Sequence, residues 1–182
     1  MKTRFLTLLL VMSTLFSSAQ SFRELFTEAN LLTEDGYYGL AIPLWEVLLT
    51  MEPNNANLNY KIGKCYIQQG IDRHLALPYL EEASKNVKPI YDPFTADFKT
   101  APQETFYYLG LAHHIENELD QAEEFYNQFL SNASKKHVLR DNAERGIKEL
   151  AVARKLMSSP LDVEVKNLGG PINTEFAEYS PI

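Results

Sequence analysis

The chain reads as an all-α protein: a solenoid of about three stacked helical hairpins, a capping helix, and a short extended C-terminal segment. Three observations predict this. Thr105 to Leu130 carries apolar positions at helical spacing on both sides of a polar turn, Phe106, Leu109, Gly110 and His113 before it and Leu119, Ala122, Tyr126 and Phe129 after it. The same layout returns upstream, where Ala29 and Gly63 hold equivalent small-residue positions 34 residues apart. After the third hairpin comes a single longer stripe, Leu139, Ala143, Ile147, Leu150 and Met157, with charged residues outside it.

Taken in order, residues 1–19 read as a secretory signal peptide: Lys2 and Arg4 are basic, Phe5 to Phe16 apolar, and Ser17-Ser18-Ala19 small, with cleavage expected before Gln20. The apolar run is interrupted by Thr7, Ser13 and Thr14 and falls short of the roughly 20 residues that a spanning helix needs. No cysteine follows it for lipid attachment, so the mature chain is expected to be exported without direct membrane insertion. Loss of Lys2 and Arg4 takes the formal charge from −7 to −9. An acidic chain without a basic cluster is poorly suited to nucleic acid or anionic headgroups. The lone cysteine, Cys65, has no internal disulfide partner, reads as a small buried hydrophobe, and leaves packing to hold the fold.

Residues 20–159 are the expected solenoid. The first hairpin pairs Leu25, Ala29 and Leu32 with Ala41, Trp45 and Leu48 across Gly36, stops at Pro53, and places Pro43 in the first turn of its second helix. The second pairs Ile62, Gly63 and Tyr66 with Ala76, Leu80 and Ala83 across Gly70, and carries one extra residue near its turn. Residues 87–102, with Pro89, Pro93 and Pro102 and no helical period, are a loop insertion. Its aromatics Tyr91, Phe94 and Phe98 predict that it packs down as a pad on the edge of the second repeat. Lys135 to Met157 is expected as the closing helix, covering the third hairpin.

The hairpins resemble tetratricopeptide (TPR) repeats, whose pattern runs W-x2-L-G-x2-Y, A-x3-F, P. Phe106, Leu109-Gly110, His113, and Ala122 with Tyr126 match it in the third repeat; Ile62-Gly63 and Tyr66 match it in the second; Ala29, Ala41, Trp45 and Pro53 match it in the first. Ser134 stands where the third repeat would carry proline. Residues 160–182 change character: Val163 and Val165 alternate with Glu164 and Lys166, and Gly169-Gly170-Pro171 is a turn. Pro160, Val163, Asn167-Leu168-Gly169, Ile172-Asn173, Glu178-Tyr179 and Pro181 resemble the start of a WD-type β-propeller. Signal peptide, TPR hairpins and this segment together resemble Bacteroidetes-type envelope proteins, in which a TPR region leads into a periplasmic propeller and an OmpA-like peptidoglycan-binding domain. Several of those belong to gliding-motility and type IX secretion machinery. The resemblance implies a periplasmic, outer-membrane-associated protein whose contact with peptidoglycan belongs to domains absent from this chain. The competing reading is a free-standing secreted helical adaptor or glycan-binding protein of the nutrient-uptake type, which usually carries a lipid-anchor cysteine.

Catalytic and metal signatures are missing from the sequence. His113 and His114 point about 100° apart on one helix, so they do not share a metal, and His113 occupies a core position of its repeat. His74 and His137 have no acidic or cysteine partner at ligand spacing. No nucleotide-binding glycine motif, G-x-S-x-G or H-E-x-x-H occurs, and no cofactor is expected. Function is therefore expected on the concave face made by the first helix of each hairpin. Arg23, Phe26 and Asn30, then Asn57, Tyr60 and Lys64, then Glu104, Tyr107, Leu111 and His114 point there by repeat position. Asn30, Tyr60, Lys64, Tyr107, Leu111 and His114 are the candidate contact residues, for other envelope proteins or peptides. Glu104 and Tyr108 stand where a clamp for a C-terminal carboxylate would need cations.

Overall fold

Seven helices and one 3-10 turn make up residues 21–159, the part of the chain that the computed structural model describes. The expected signal peptide at 1–19 and extended segment at 160–182 lie outside the described residues. Helix α1 covers residues 21–34, α2 Tyr38–Met51, α3 Ala56–Gln69, α4 Ala76–Ser84, α5 Glu104–Ile115, α6 Leu119–Asn132 and α7 Arg140–Met157. They form three hairpins and a closing helix, and α2 to α7 each pack chiefly on their neighbours in the chain.

The hairpin turns follow local chemistry. Gly36 and Gly70 hold φ of 81° and 82°, and Asn117 supplies the third left-handed turn at 60°. The 3-10 turn Arg73–Leu75 takes up the extra residue of the second repeat. Asn55 caps α3, its side chain accepting from the Asn57 and Leu58 amides. At the first hairpin Trp45 is fully buried against Phe26, and its indole N–H donates to Thr33 Oγ1 at 3.0 Å. Cys65 is buried beside that hydroxyl, and burial pushes its thiol pKa up. Between the second pair of helices, Tyr66 and Tyr79 stack and both donate to Glu46 Oε1 at 3.2 Å.

Three expectations need correction. Pro43 is not in the first turn of α2: the helix begins at Tyr38, so the proline sits inside it. The closing helix begins at Arg140 rather than Lys135, because residues 134–139 are held as a turn. There Ser134 Oγ accepts the Lys136 amide and His137 Nδ1 accepts the Leu139 amide. Met157, placed on the buried stripe of that helix, is exposed, whereas Ala143, Gly146 and Leu150 are the buried residues. Arg140 donates to the Leu130 carbonyl at 2.9 Å and so caps the end of α6. Arg154 holds the other end, meeting Asp120 at 2.8 Å and Glu123 at 2.6 Å.

Candidate interaction face

Helices α1, α3 and α5, the first of each hairpin, line one face. Along α3 the positions Asn57, Tyr60, Lys61, Lys64 and Gln68 recur every three or four residues and form one strip. Gln68 Nε2 donates to Tyr108 Oη at 3.3 Å, and Tyr60 meets Tyr108 edge to face at 6.0 Å, so α3 and α5 lie side by side. On α5, Tyr107, Leu111 and His114 make the matching strip.

Part of this face is already covered. Val87 and Ala101 form an isolated parallel bridge, with the Lys88 amide donating to Ala101 and the Ala101 amide to Asn86, both at 2.9 Å. The chain between them loops out and lies across α1 and α3. Three of its main-chain carbonyls are read by donors on α3: Lys61 Nζ to Pro93 at 2.9 Å, Asn57 Nδ2 to Phe98 at 3.3 Å, and the Ala56 amide to Lys99 at 3.1 Å. The last of these satisfies an N–H that the helix start leaves free. Tyr91 is the side-chain anchor, donating to Asn57 Oδ1 at 2.7 Å with its ring against Tyr60 and Phe98, each 6.0 Å away. Arg23 pairs with Asp97 at 3.3 Å, and Lys99 pairs with Glu52. Asp92 shapes the strap from within, accepting from the Phe94 amide and the Thr95 hydroxyl, which hold its carboxyl below the usual range.

Lys61 is the unusual group. Its ammonium is buried over the rings of Trp45 (4.9 Å) and Phe26 (5.3 Å) and donates to Asn30 Oδ1 at 2.7 Å as well as to Pro93. Desolvation lowers its pKa from 10.5 to about 8; Lys64 pushes the same way, while Cys65, Glu34 and Asp92 oppose.

Of the six candidate contact residues, two are enclosed. Asn30 is 5% exposed and held by Lys61; Tyr60 is 6% exposed beneath Tyr91. Both are internal partners of the strap, which corrects the expectation that they are open to a ligand. Lys64, Tyr107, Leu111 and His114 are half-buried, and among the described residues Lys64 forms no ion pair. Tyr107 leans on Tyr126 and Phe129, and His114 meets Tyr126 edge-on. The loop is a pad, but on the inner side of the first two hairpins instead of the edge of the second. Phe94 does not pack down with it and is 65% exposed. Sequence reasoning missed Lys61 altogether, since its partners Asn30 and Pro93 lie 31 and 32 residues away.

The histidines separate. His113 is buried, stacks on Phe125 and has Nδ1 at 2.6 Å from Glu118, while His114 faces Tyr126. His137 does have an acidic partner, Glu104 at 3.2 Å, supplied from 33 residues away and therefore invisible as ligand spacing. No group of three or more His, Cys, Asp and Glu suited to a metal occurs among the described residues.

No protein-family model and no curated protein matches the chain. Solved structures do. The Sgt2 TPR domain from Aspergillus fumigatus aligns with a TM-score of 0.53 at 20% identity, over 82% of this chain and 91% of that one. The type III secretion chaperone SycD of Yersinia enterocolitica, solved with a peptide of the translocator YopD, aligns with a TM-score of 0.54 at 13% identity, over 74% of this chain and 95% of that one. The hairpins of residues 21–159 are thus an all-helical solenoid of the TPR fold.

Proposed function

We propose that the chain is a non-enzymatic docking module that receives an extended segment of another protein on the α1/α3/α5 face. The observation that carries this reading is the line of donors on α3 that takes up the carbonyls of an extended chain. Main-chain recognition of this kind holds a segment whatever its side chains, and flanking pockets then select among segments. Beyond the covered part, the face continues with the cation of Lys64 and with Leu111 and His114, a mixture that suits an acidic segment with an apolar anchor. The solved complex of SycD with a YopD peptide supports a peptide ligand for a solenoid of this shape.

The setting we infer is the cell envelope. The export signal of residues 1–19 and the propeller-like residues after Pro160 support a periplasmic, outer-membrane-associated protein. Its place would be the N-terminal part of an OmpA-like component of motility or secretion machinery, docking to envelope proteins while other domains hold peptidoglycan. Photo-crosslinking in the producing cells tests the docking face. A probe at Lys64 or Leu111 is expected to give a discrete adduct with an envelope protein that a probe at exposed Glu81 on α4 does not give. The same adducts from all three positions would remove the reading. Fractionation and N-terminal sequencing test the address: an envelope product beginning at Gln20 is expected, and a cytoplasmic product retaining Met1 refutes export.

A further inference from the structure

We propose that the strap of residues 88–100 is an internal ligand, occupying the α1/α3 part of the docking face until a partner segment of similar chemistry displaces it. This rests on the reading of that face as the docking surface. Four observations support it. Beyond the Val87–Ala101 bridge at its base, the hydrogen bonds and ion pairs of the strap run to Arg23 on α1, to Glu52 and to α3 among the described residues, so it can leave the face without breaking a bond to α4 or α5. Its hold combines one aromatic anchor, Tyr91, with the carbonyls of Pro93, Phe98 and Lys99, contacts that another extended chain bearing an aromatic residue can reproduce. Its ion pair to Arg23 is solvent-exposed and therefore weak. Ile90 and Phe94 point away, 79% and 65% exposed, so the strap leaves part of its apolar surface in water and is not a sealed core element.

The strap also describes its competitor. The place it fills takes an extended polypeptide with a tyrosine or phenylalanine against Tyr60 and Asn57, and carbonyls for Lys61, Asn57 and the α3 N-terminus. A carboxylate near Arg23 completes the match. An extended segment of another envelope protein with an aromatic residue and one carboxylate beyond it has that chemistry.

The test uses the strap's own sequence as the probe. In the full chain, residues 89–100 are replaced by a Gly/Ser sequence of the same length, which removes the strap's side chains but keeps the crossover that the parallel Val87–Ala101 bridge requires. A fluorescent peptide of residues 88–100 is then titrated into the altered and the intact chain. Saturable binding to the altered chain, at least tenfold tighter than to the intact one, is expected, and it should be lost when the peptide carries Tyr91→Ala. Equal affinity for both chains, or no binding to a folded altered chain, overturns the proposal. A full-length variant, Tyr91→Ala with Asp97→Ala, covers the case of misfolding. It should be cut faster by protease within 88–100 and bind the unaltered peptide more tightly than the intact chain does; unchanged cleavage and affinity would refute the strap's role. Failure of the docking reading looks different: the altered chain would capture the peptide, yet probes at Lys64 and Leu111 would find no partner. Conversely, partner adducts of equal yield with and without the strap's side chains would sink the internal ligand alone.

Discussion

Thr105 is fully buried at the start of α5, and its hydroxyl meets no hydrogen-bond partner among the described residues. A buried hydroxyl without a partner has lost water and gained nothing, so Thr105→Val, which keeps the shape, should raise stability by about 1 kcal/mol. Urea denaturation followed by circular dichroism reads this as a higher midpoint; a lower one would mean that the hydroxyl is satisfied in solution. Lys61 makes the opposite kind of statement. Folding lowers its pKa from 10.5 to about 8, so between those values the unfolded chain holds more protons than the folded one, and stability rises with pH. The gain from pH 8 to 9.5 should be about 1.5 kcal/mol. Above pH 10 the trend reverses, because burial raises the hydroxyls of Tyr60, Tyr91, Tyr108 and Tyr126 and the unfolded chain ionises first. Denaturation at a series of pH values should therefore pass through a maximum, and Lys61→Met should abolish the rise while leaving the fall. A rise that survives in Lys61→Met would assign it to another group.

Within the elements, the small residues of the repeat pattern mark where helices touch. A Cβ on Gly63 would lie 2.5 Å from Leu80 Cγ and 3.3 Å from the Ala76 carbonyl. Leu80 is fully buried, so α3 and α4 must part to admit it, and Gly63→Ala should destabilise by about 1–3 kcal/mol. A melting temperature equal to that of the intact chain would show that the hairpin yields freely. This contact was legible in the sequence because helix crossing within a hairpin depends on residues close in the chain, and Gly110 follows the same rule against Tyr126. Boundaries were less legible: α7 starts late because His137 is drawn to Glu104 on α5, a tertiary contact without periodic trace. That Tyr60 and Lys64, or Tyr107 and Leu111, share one side of their helix was legible for the same local reason, since each pair is one turn apart. Its occupation was not. The strap reaches Lys61 and Asn57 from 32 and 41 residues away and Arg23 from 74, and spacing within a helix says nothing about such meetings.

At the scale of the molecule, stability in a stack of hairpins is approximately a sum of hairpin and neighbour terms. The apolar core of residues 21–159 has this form: three clusters follow one another along the chain, and residues such as Tyr66, Tyr107 and Leu111 are shared between successive ones. The final cluster is closed by α7, whose Ala143 and Leu150 are fully buried and whose Gly146 lets the helix approach Tyr126. Ending the chain after Asn132 removes that cover from Tyr126 and Phe129, a loss of about 3 kcal/mol or more by the burial of one leucine and its surroundings. Because neighbours carry the coupling, the loss should be graded. Amide exchange in α5 and α6 should accelerate most, exchange in α4 less, and α2 and α3 should stay protected, the strap still tying the first two hairpins together. Hydrogen-exchange mass spectrometry resolves these helices separately. Equal acceleration in all of them would show one cooperative block, in which the strap and the shared aromatics bind the array more strongly than neighbour-by-neighbour addition allows.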